Sequence, residues 1–190
     1  MGIVNWATGQ QALGQLFYEA VKAHHPFLYR SILDVGCGYG IAAACMCALG
    51  ERMTLIDVSQ SVVDGQRHRW RHNRQVAVAC STIHSMGGSY DLIYYFLSFH
   101  HVADIMAELS KIRSLLAQDG ELVICEMSPN CEAPFHQNDI VPHDGFASGH
   151  LSAILQGNGF RVAQVEELAT LRKDGVDYGI YVIRSFVETL

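Results

Sequence analysis

One nonapeptide constrains this chain more than any other stretch: Ile32-Leu-Asp-Val-Gly-Cys-Gly-Tyr-Gly40. A short apolar run ends in glycines at 36, 38 and 40, and the Ala-rich segment Ile41–Leu49 follows, closed by Gly50. The first segment reads as a buried strand and the second as a helix. Glycine between them lets a ligand approach the backbone without a Cβ in the way. The opening of the helix offers unpaired N–H groups to a carboxylate or phosphate. Asp57 lies 17 residues after Gly40, at the end of the next apolar run, Met53-Thr-Leu-Ile-Asp57. A carboxylate in that place can accept both hydroxyls of a ribose.

The dinucleotide fingerprint G-x-G-x-x-G requires glycine at position 41, where Ile41 stands. No Gly-Lys-Ser/Thr P-loop occurs either. A glycine loop and a ribose acid without pyrophosphate equipment suit a nucleoside with a short charged tail. S-adenosylmethionine has that shape.

The rest of the chain alternates in kind. Gln10–His24 carries Leu13, Leu16, Phe17, Ala20 and Val21 at helical spacing. Strands are expected at Ser31–Val35, Met53–Asp57, Gln75–Cys80, Tyr90–Phe96, Glu121–Glu126, Phe160–Leu168 and Tyr178–Phe186. Helices are expected at Ile41–Leu49, Ser59–Asn73 (with Ser59 or Ser61 as N-cap), Ala103–Leu116 and Gly149–Leu155. This β-α-β alternation implies an α/β fold with a parallel, helix-covered sheet. Lys173-Asp174-Gly175 joins the last two strands as an antiparallel hairpin.

Charge and composition narrow the function classes. The 190 residues are 49% hydrophobic and 17% charged, which favours a well-filled core over disorder. The net charge is −6, a poor match to a phosphate backbone. Residues 1–95 hold 7 basic and 6 acidic groups, and residues 96–190 hold 6 and 13. That asymmetry suggests an acidic acceptor side. The basic run Arg67-His-Arg-Trp-Arg-His-Asn-Arg74 reads as the solvated face of a helix. Six cysteines without a CxxC pair, no signal-like leader and no membrane-length apolar run lead to the expectation of a cytoplasmic protein with reduced thiols.

The chain resembles the class I S-adenosylmethionine-dependent methyltransferases, and in particular the small bacterial type. Asp34-Val-Gly-Cys-Gly-Tyr-Gly40 is similar to the first motif of that family, and Asp57 to the ribose acid of the second. Tyr90-Asp-Leu-Ile-Tyr-Tyr-Phe-Leu-Ser-Phe-His-His-Val102 resembles the fourth, and Ile112–Cys125 the helix, turn and fifth strand. The resemblance implies a Rossmann-like doubly wound sheet of seven strands, order 3-2-1-4-5-7-6, with strand 7 antiparallel. It implies a single domain in which residues 1–30 form a helical lid segment and 31–190 bind S-adenosylmethionine, released as S-adenosylhomocysteine. Donor contacts are expected from Asp34, Gly36, Cys37 and Gly38, from Asp57 and Val58, and from Ser81, Thr82, Ile83 and Phe96. After the third strand the family usually carries an acid for the adenine. Ser81-Thr82-Ile83 has none, and a hydroxyl there is the substitute.

The acceptor side is less defined. Methyl transfer is an in-line displacement, so alignment dominates and a base is needed only for a protonated acceptor. The absence of an Asn/Asp-Pro-Pro-aromatic tetrapeptide after the fourth strand argues against nucleic-acid substrates and leaves a small-molecule acceptor. His101, His136 and His143 are the candidate catalytic residues. His136 and His143 belong to a weaker resemblance, a Phe-His pair and a His-x-Gly-Phe segment ahead of the last helix. One of His100 and His101 is expected in the core, the other in the cleft. His136, His143 and His150 recur every seven residues, but Pro142 prevents one continuous helix, and no metal site is expected. Tyr18, His24 and Tyr29 are expected near the cleft. No membrane partner is expected, and the oligomeric state is expected to be monomer or homodimer. Two rivals stand beside methyl transfer: an S-adenosylmethionine-binding enzyme of another reaction type, and a non-catalytic donor-binding or regulatory subunit.

Overall fold

The computed structural model describes residues 2–25, 27–130, 133–136 and 140–188. Eight strands form one sheet: β1 (Ile3–Asn5), β2 (Ile32–Val35), β3 (Met53–Asp57), β4 (Val76–Cys80), β5 (Tyr90–Phe96), β6 (Leu116–Met127), β7 (Phe160–Lys173) and β8 (Val176–Val187). Their order is β1-β7-β8-β6-β5-β2-β3-β4. Pairing is parallel from β4 through β6, and β8 runs antiparallel to both β6 and β7. The expected order of seven strands is therefore present. It gains an eighth, because Ile3–Asn5 pairs in parallel with Thr170–Arg172 at the edge. Three residues just before a helix carry too little pattern to announce a strand; β7 supplies the open edge.

Among the described residues, five α-helices cover the sheet: α1 (Trp6–Lys22), α2 (Ala43–Met46), α3 (Gln60–Trp70), α4 (Ile105–Leu115) and α5 (Ser148–Gly157). The central strands are buried on both faces, and alternate residues feed two cores. Leu92 and Tyr94 of β5 join α1 (Leu13, Phe17, Val21) and α2 (Met46) on one side. Ile93 and Tyr95 join α4 (Leu109, Ile112) and α5 (Leu151, Leu155) on the other. α1 starts four residues earlier than its apolar spacing indicates. Asn5 caps it through its side-chain oxygen, which accepts from the Ala7 N–H at 3.0 Å.

The Ala-rich segment is the main local departure. Only Ala43–Met46 is α-helical, followed by a 3₁₀ turn at Cys47–Leu49. The Leu49 carbonyl accepts the Tyr29 N–H, and Gly50 bridges Tyr29 in parallel, so tertiary pairing pulls the chain out of the helix. Ser59 precedes α3, but neither serine makes a side-chain cap. The basic run behaves as a solvated face: Arg67 pairs with Asp64 at 3.5 Å, while Trp70 turns inward and donates to Gln66. Tyr29 lies at the opposite end of the strands from the glycine loop, where its hydroxyl donates to Glu121. Arg184 holds the same carboxylate through Nε at 2.9 Å and Nη2 at 2.6 Å. No helix among the described residues is long and apolar enough to cross a membrane.

Candidate functional site

The sheet reverses its winding between β2 and β5, which opens a crevice at their carboxyl ends. The glycine loop enters it from β2 and residues Leu97–His101 from β5. Gly36, Gly38 and Gly40 all have positive φ, at 71°, 49° and 72°. A Cβ on Gly36 would meet Ser98 at 2.8 Å, and one on Gly40 would meet the Gln66 amide at 2.8 Å. At Gly38 a Cβ would meet nothing within 4 Å, so this position faces open space. The loop uses most of its own donors. Gly36 and Cys37 N–H groups donate to the Ile56 carbonyl, and Gly40 N–H donates to Cys37. With α2 only four residues long, no extended helix N-terminus stands behind the loop.

Asp57 closes the loop. Its Oδ2 accepts the Gly38 N–H at 3.0 Å and its Oδ1 accepts the Ser59 N–H at 2.9 Å. Beneath it, Asp34 is buried and accepts the Tyr94 hydroxyl at 2.7 Å. Burial pushes the Asp34 carboxyl up to about 7; the Tyr94 hydrogen bond opposes the rise and the nearby Asp57 charge adds to it. The Cys37 thiol is also pushed up, by burial first and then by the two aspartates, so it is no nucleophile.

Two cavities flank the loop. The larger, about 640 Å³, is lined by Gly36, Gly38, Asp57 and Val58, then Ser81–His84, then Tyr95, Leu97, Ser98 and His101–Asp104, with Glu108. The smaller, about 140 Å³, is lined by Asp34, Cys37, Phe96 and Trp6, among others. Gly36, Gly38 and Leu97 border both. Leu97 has φ 51°, a left-handed conformation that leucine rarely adopts; its N–H is held by the Cys125 carbonyl at 2.9 Å.

All ten expected donor residues therefore lie on these two cavities. The acid absent from Ser81–Ile83 is brought by another element. Glu108 of α4 reaches the wall of the larger cavity, where its Oε1 accepts the Tyr95 hydroxyl at 2.6 Å and its Oε2 lies 3.1 Å from His84 Nε2. Asp104 and Glu108 are the acids of the second half that line it. Among the described residues the acidic character of the second half is thus not gathered at the mouth, because Glu121 and Glu126 are spent on buried partners and much of the rest lies along β7 and β8.

The histidines divide differently from their spacing. His101 lines the larger cavity, and His100 is buried behind it. His100 Nδ1 lies 3.0 Å from both oxygens of the buried Glu126, which also accepts the His100 and Met127 N–H groups. His100 Nε2 meets His136 Nε2 at 3.0 Å. His143 lines neither cavity; its N–H donates to the His100 carbonyl at 3.2 Å and its ring packs on Phe146. His150 is exposed on α5. The His136 segment is pinned by Asp144, which accepts the Phe135 N–H, and by Tyr178, which donates to the Ala133 carbonyl. Phe135 packs edge-on against Trp6 at 5.3 Å, linking this segment to the smaller cavity. Sequence reasoning passed over Trp6, Tyr94, Glu108 and Glu126. Trp6, Glu108 and Glu126 sit in no motif, while Tyr94 lies within the run Tyr90–Val102 with nothing local to set it apart from Tyr95; only the buried acids in apolar runs offered a signal.

A methyltransferase-domain family matches residues 12–165. Ubiquinone biosynthesis O-methyltransferase of Parvibaculum lavamentivorans is 29% identical over 116 residues, covering 59% of this chain and 46% of that protein. The chain thus spans about half the length of the curated relatives it matches. The crystal structure of N-methyltransferase NodS from Bradyrhizobium japonicum superposes with a TM-score of 0.72 at 16% identity, over 95% of this chain and 96% of that one. The same protein in complex with S-adenosyl-L-homocysteine gives 0.69 at 15% identity, over 93% and 86%.

Proposed function

Because the chain belongs to the methyltransferase-domain family, we propose that it transfers the methyl group of S-adenosylmethionine to a small-molecule acceptor. One observation carries the reading: the Gly38–Asp57 clasp stands between a nucleoside-sized cavity and a smaller one, with the glycine backbone bordering both. The nucleoside fits the larger cavity. There Asp57 would take the ribose hydroxyls, Val58 and Ile83 would pack on the adenine, and Ser81, Thr82 and Glu108 would offer polar contacts. The methionine tail fits the smaller cavity beside Asp34, Cys37 and Phe96. A buried aspartate there complements the ammonium group of the tail.

The displacement needs the acceptor in line with the sulfur–methyl bond more than it needs chemistry from the protein. The acceptor would approach from the side of Phe96, His101 and Trp6. Covering that approach falls to Trp6 at the start of α1. An oxygen acceptor is the better fit, because His101 and the imidazole of His136 behind it can take a hydroxyl proton, a contribution of about 10²–10⁴-fold in rate. The curated relative carries an O-methyl acceptor in its name, which supports the same reading. A cytoplasmic setting suits the free cysteines Cys37, Cys45, Cys47, Cys80 and Cys125.

Calorimetric titration with S-adenosylmethionine tests the donor site. The wild-type protein should bind one equivalent, and Asp57→Ala should lose at least about 100-fold in affinity, as expected for removing charge-assisted hydrogen bonds. Unchanged affinity would remove Asp57 from the site. Formation of S-adenosylhomocysteine with candidate acceptors separates methyl transfer from any other use of the donor.

A further inference from the structure

We propose that His100, His101 and His136 form a binding site for a divalent transition metal of the zinc type, open toward the donor cavity. One ligand atom from each residue lies within 4.8 Å of the others. Zinc–imidazole bonds of about 2.0–2.1 Å place tetrahedral nitrogens about 3.4 Å apart, inside the span of this cluster. Two imidazole Nε2 atoms face each other at 3.0 Å, a contact in which one nitrogen carries a proton for the other. A cation between them takes both lone pairs.

Glu126 supplies the outer support. Its carboxylate already accepts two backbone N–H groups, so the His100 ring turns its Nδ1–H to it and presents the Nε2 lone pair to the cluster. That carboxylate–histidine arrangement fixes tautomer and orientation, the role it plays behind metal-bound imidazoles. Burial is graded from His100 inside, through His136, to His101 at the cavity. Three nitrogen ligands leave a fourth position for water or substrate. The neighbouring His143 adds a buried Nε2 with no hydrogen-bond partner among the described residues.

The site lies outside the carboxyl ends of β5 and β6, on the acceptor side. The metal would hold a small molecule through a hydroxyl oxygen. With His101 and His136 engaged as ligands, the hydroxyl proton leaves to solvent in place of an imidazole base, the oxygen forms its bond to the methyl carbon, and the carbon–sulfur pair returns to sulfur. This role rests on the methyl-transfer reading; the site itself does not.

The test uses the full chain stripped with a chelator and titrated with cobalt(II), then with zinc against a chromophoric chelator. We expect one equivalent of tetrahedral cobalt, seen by its ligand-field bands. His136→Ala and His101→Ala should each weaken binding at least 100-fold, and Glu126→Gln about 10–100-fold. His150→Ala, on the exposed face of α5, should change nothing. Circular dichroism confirms folding, and His136→Gln replaces any variant that fails it. Absence of cobalt bands, or equal binding by wild type and His136→Ala, overturns the site. Calorimetry with S-adenosylmethionine on the same samples keeps the two readings apart: donor binding without metal binding refutes only the metal site, and metal binding without donor binding refutes only the methyl-transfer reading.

Discussion

On the proposed reading, Asp34 joins the stability of the fold to the charge of the donor's tail. Its carboxyl is held up to about 7, well above the unfolded value of 3.8, so the folded chain binds this proton more tightly than the unfolded chain. Stability from this group is full below the unfolded value and falls as pH rises through about 7. Asp34→Asn should flatten that slope, as read from denaturation midpoints between pH 5 and 8. Tyr94→Phe removes the hydrogen bond that opposes the shift, so it should move the slope to higher pH and cost about 1–2 kcal/mol. A cationic ligand beside Asp34 lowers its pKa and expels the proton. Affinity for S-adenosylmethionine should therefore rise from pH 6 to 8 in the wild type and not in Asp34→Asn.

At the scale of elements, the same substitution has different consequences in two turns. Asp174 and Gly175 close the β7–β8 hairpin with φ 52° and 83°, the left-handed pair of a two-residue turn. A Cβ on Gly175 meets nothing within 4 Å, so Gly175→Ala should cost only the conformational penalty, about 1 kcal/mol. Gly40 has φ 72°, and a Cβ added there would meet the Gln66 amide at 2.8 Å. That amide donates to the Gly38 carbonyl and accepts from Trp70. Gly40→Ala should therefore cost more stability than Gly175→Ala and also weaken donor binding, whereas Gly175→Ala should leave binding unchanged. Thermal melts and donor titration of the two variants check this. α4 shows how an element serves both fold and site: Asp104 caps it by accepting the Ala107 N–H at 3.0 Å and also borders the larger cavity.

Across the whole molecule, the N-terminal segment belongs to the body of the fold as well as to the mouth of the site. Phe17 is fully buried between α1 and the sheet, ringed by Tyr94 and Phe96. Phe17→Ala should cost about 3–5 kcal/mol in denaturant melts, a loss that a helix merely resting over the site would not produce. What the chain determined by itself was local and periodic. Alternating apolar runs, the spacing of Gly36, Gly38 and Gly40, and Asp57 at a strand end specify strands, loop and parallel winding, because those signals act between near neighbours. What folding alone decided was which distant side chains meet. Glu108 stands where Ser81–Ile83 lack an acid, and the His100–Glu126 pair lies across two strands. His136, rather than His143, joins His100 and His101. Ile3–Asn5 finds an open edge in β7, and the Ala-rich helix is cut short by Tyr29 pairing with Gly50. Each contact joins residues far apart in the chain through burial and hydrogen-bond demand. No local pattern encodes them; only the packed sheet brings them within reach.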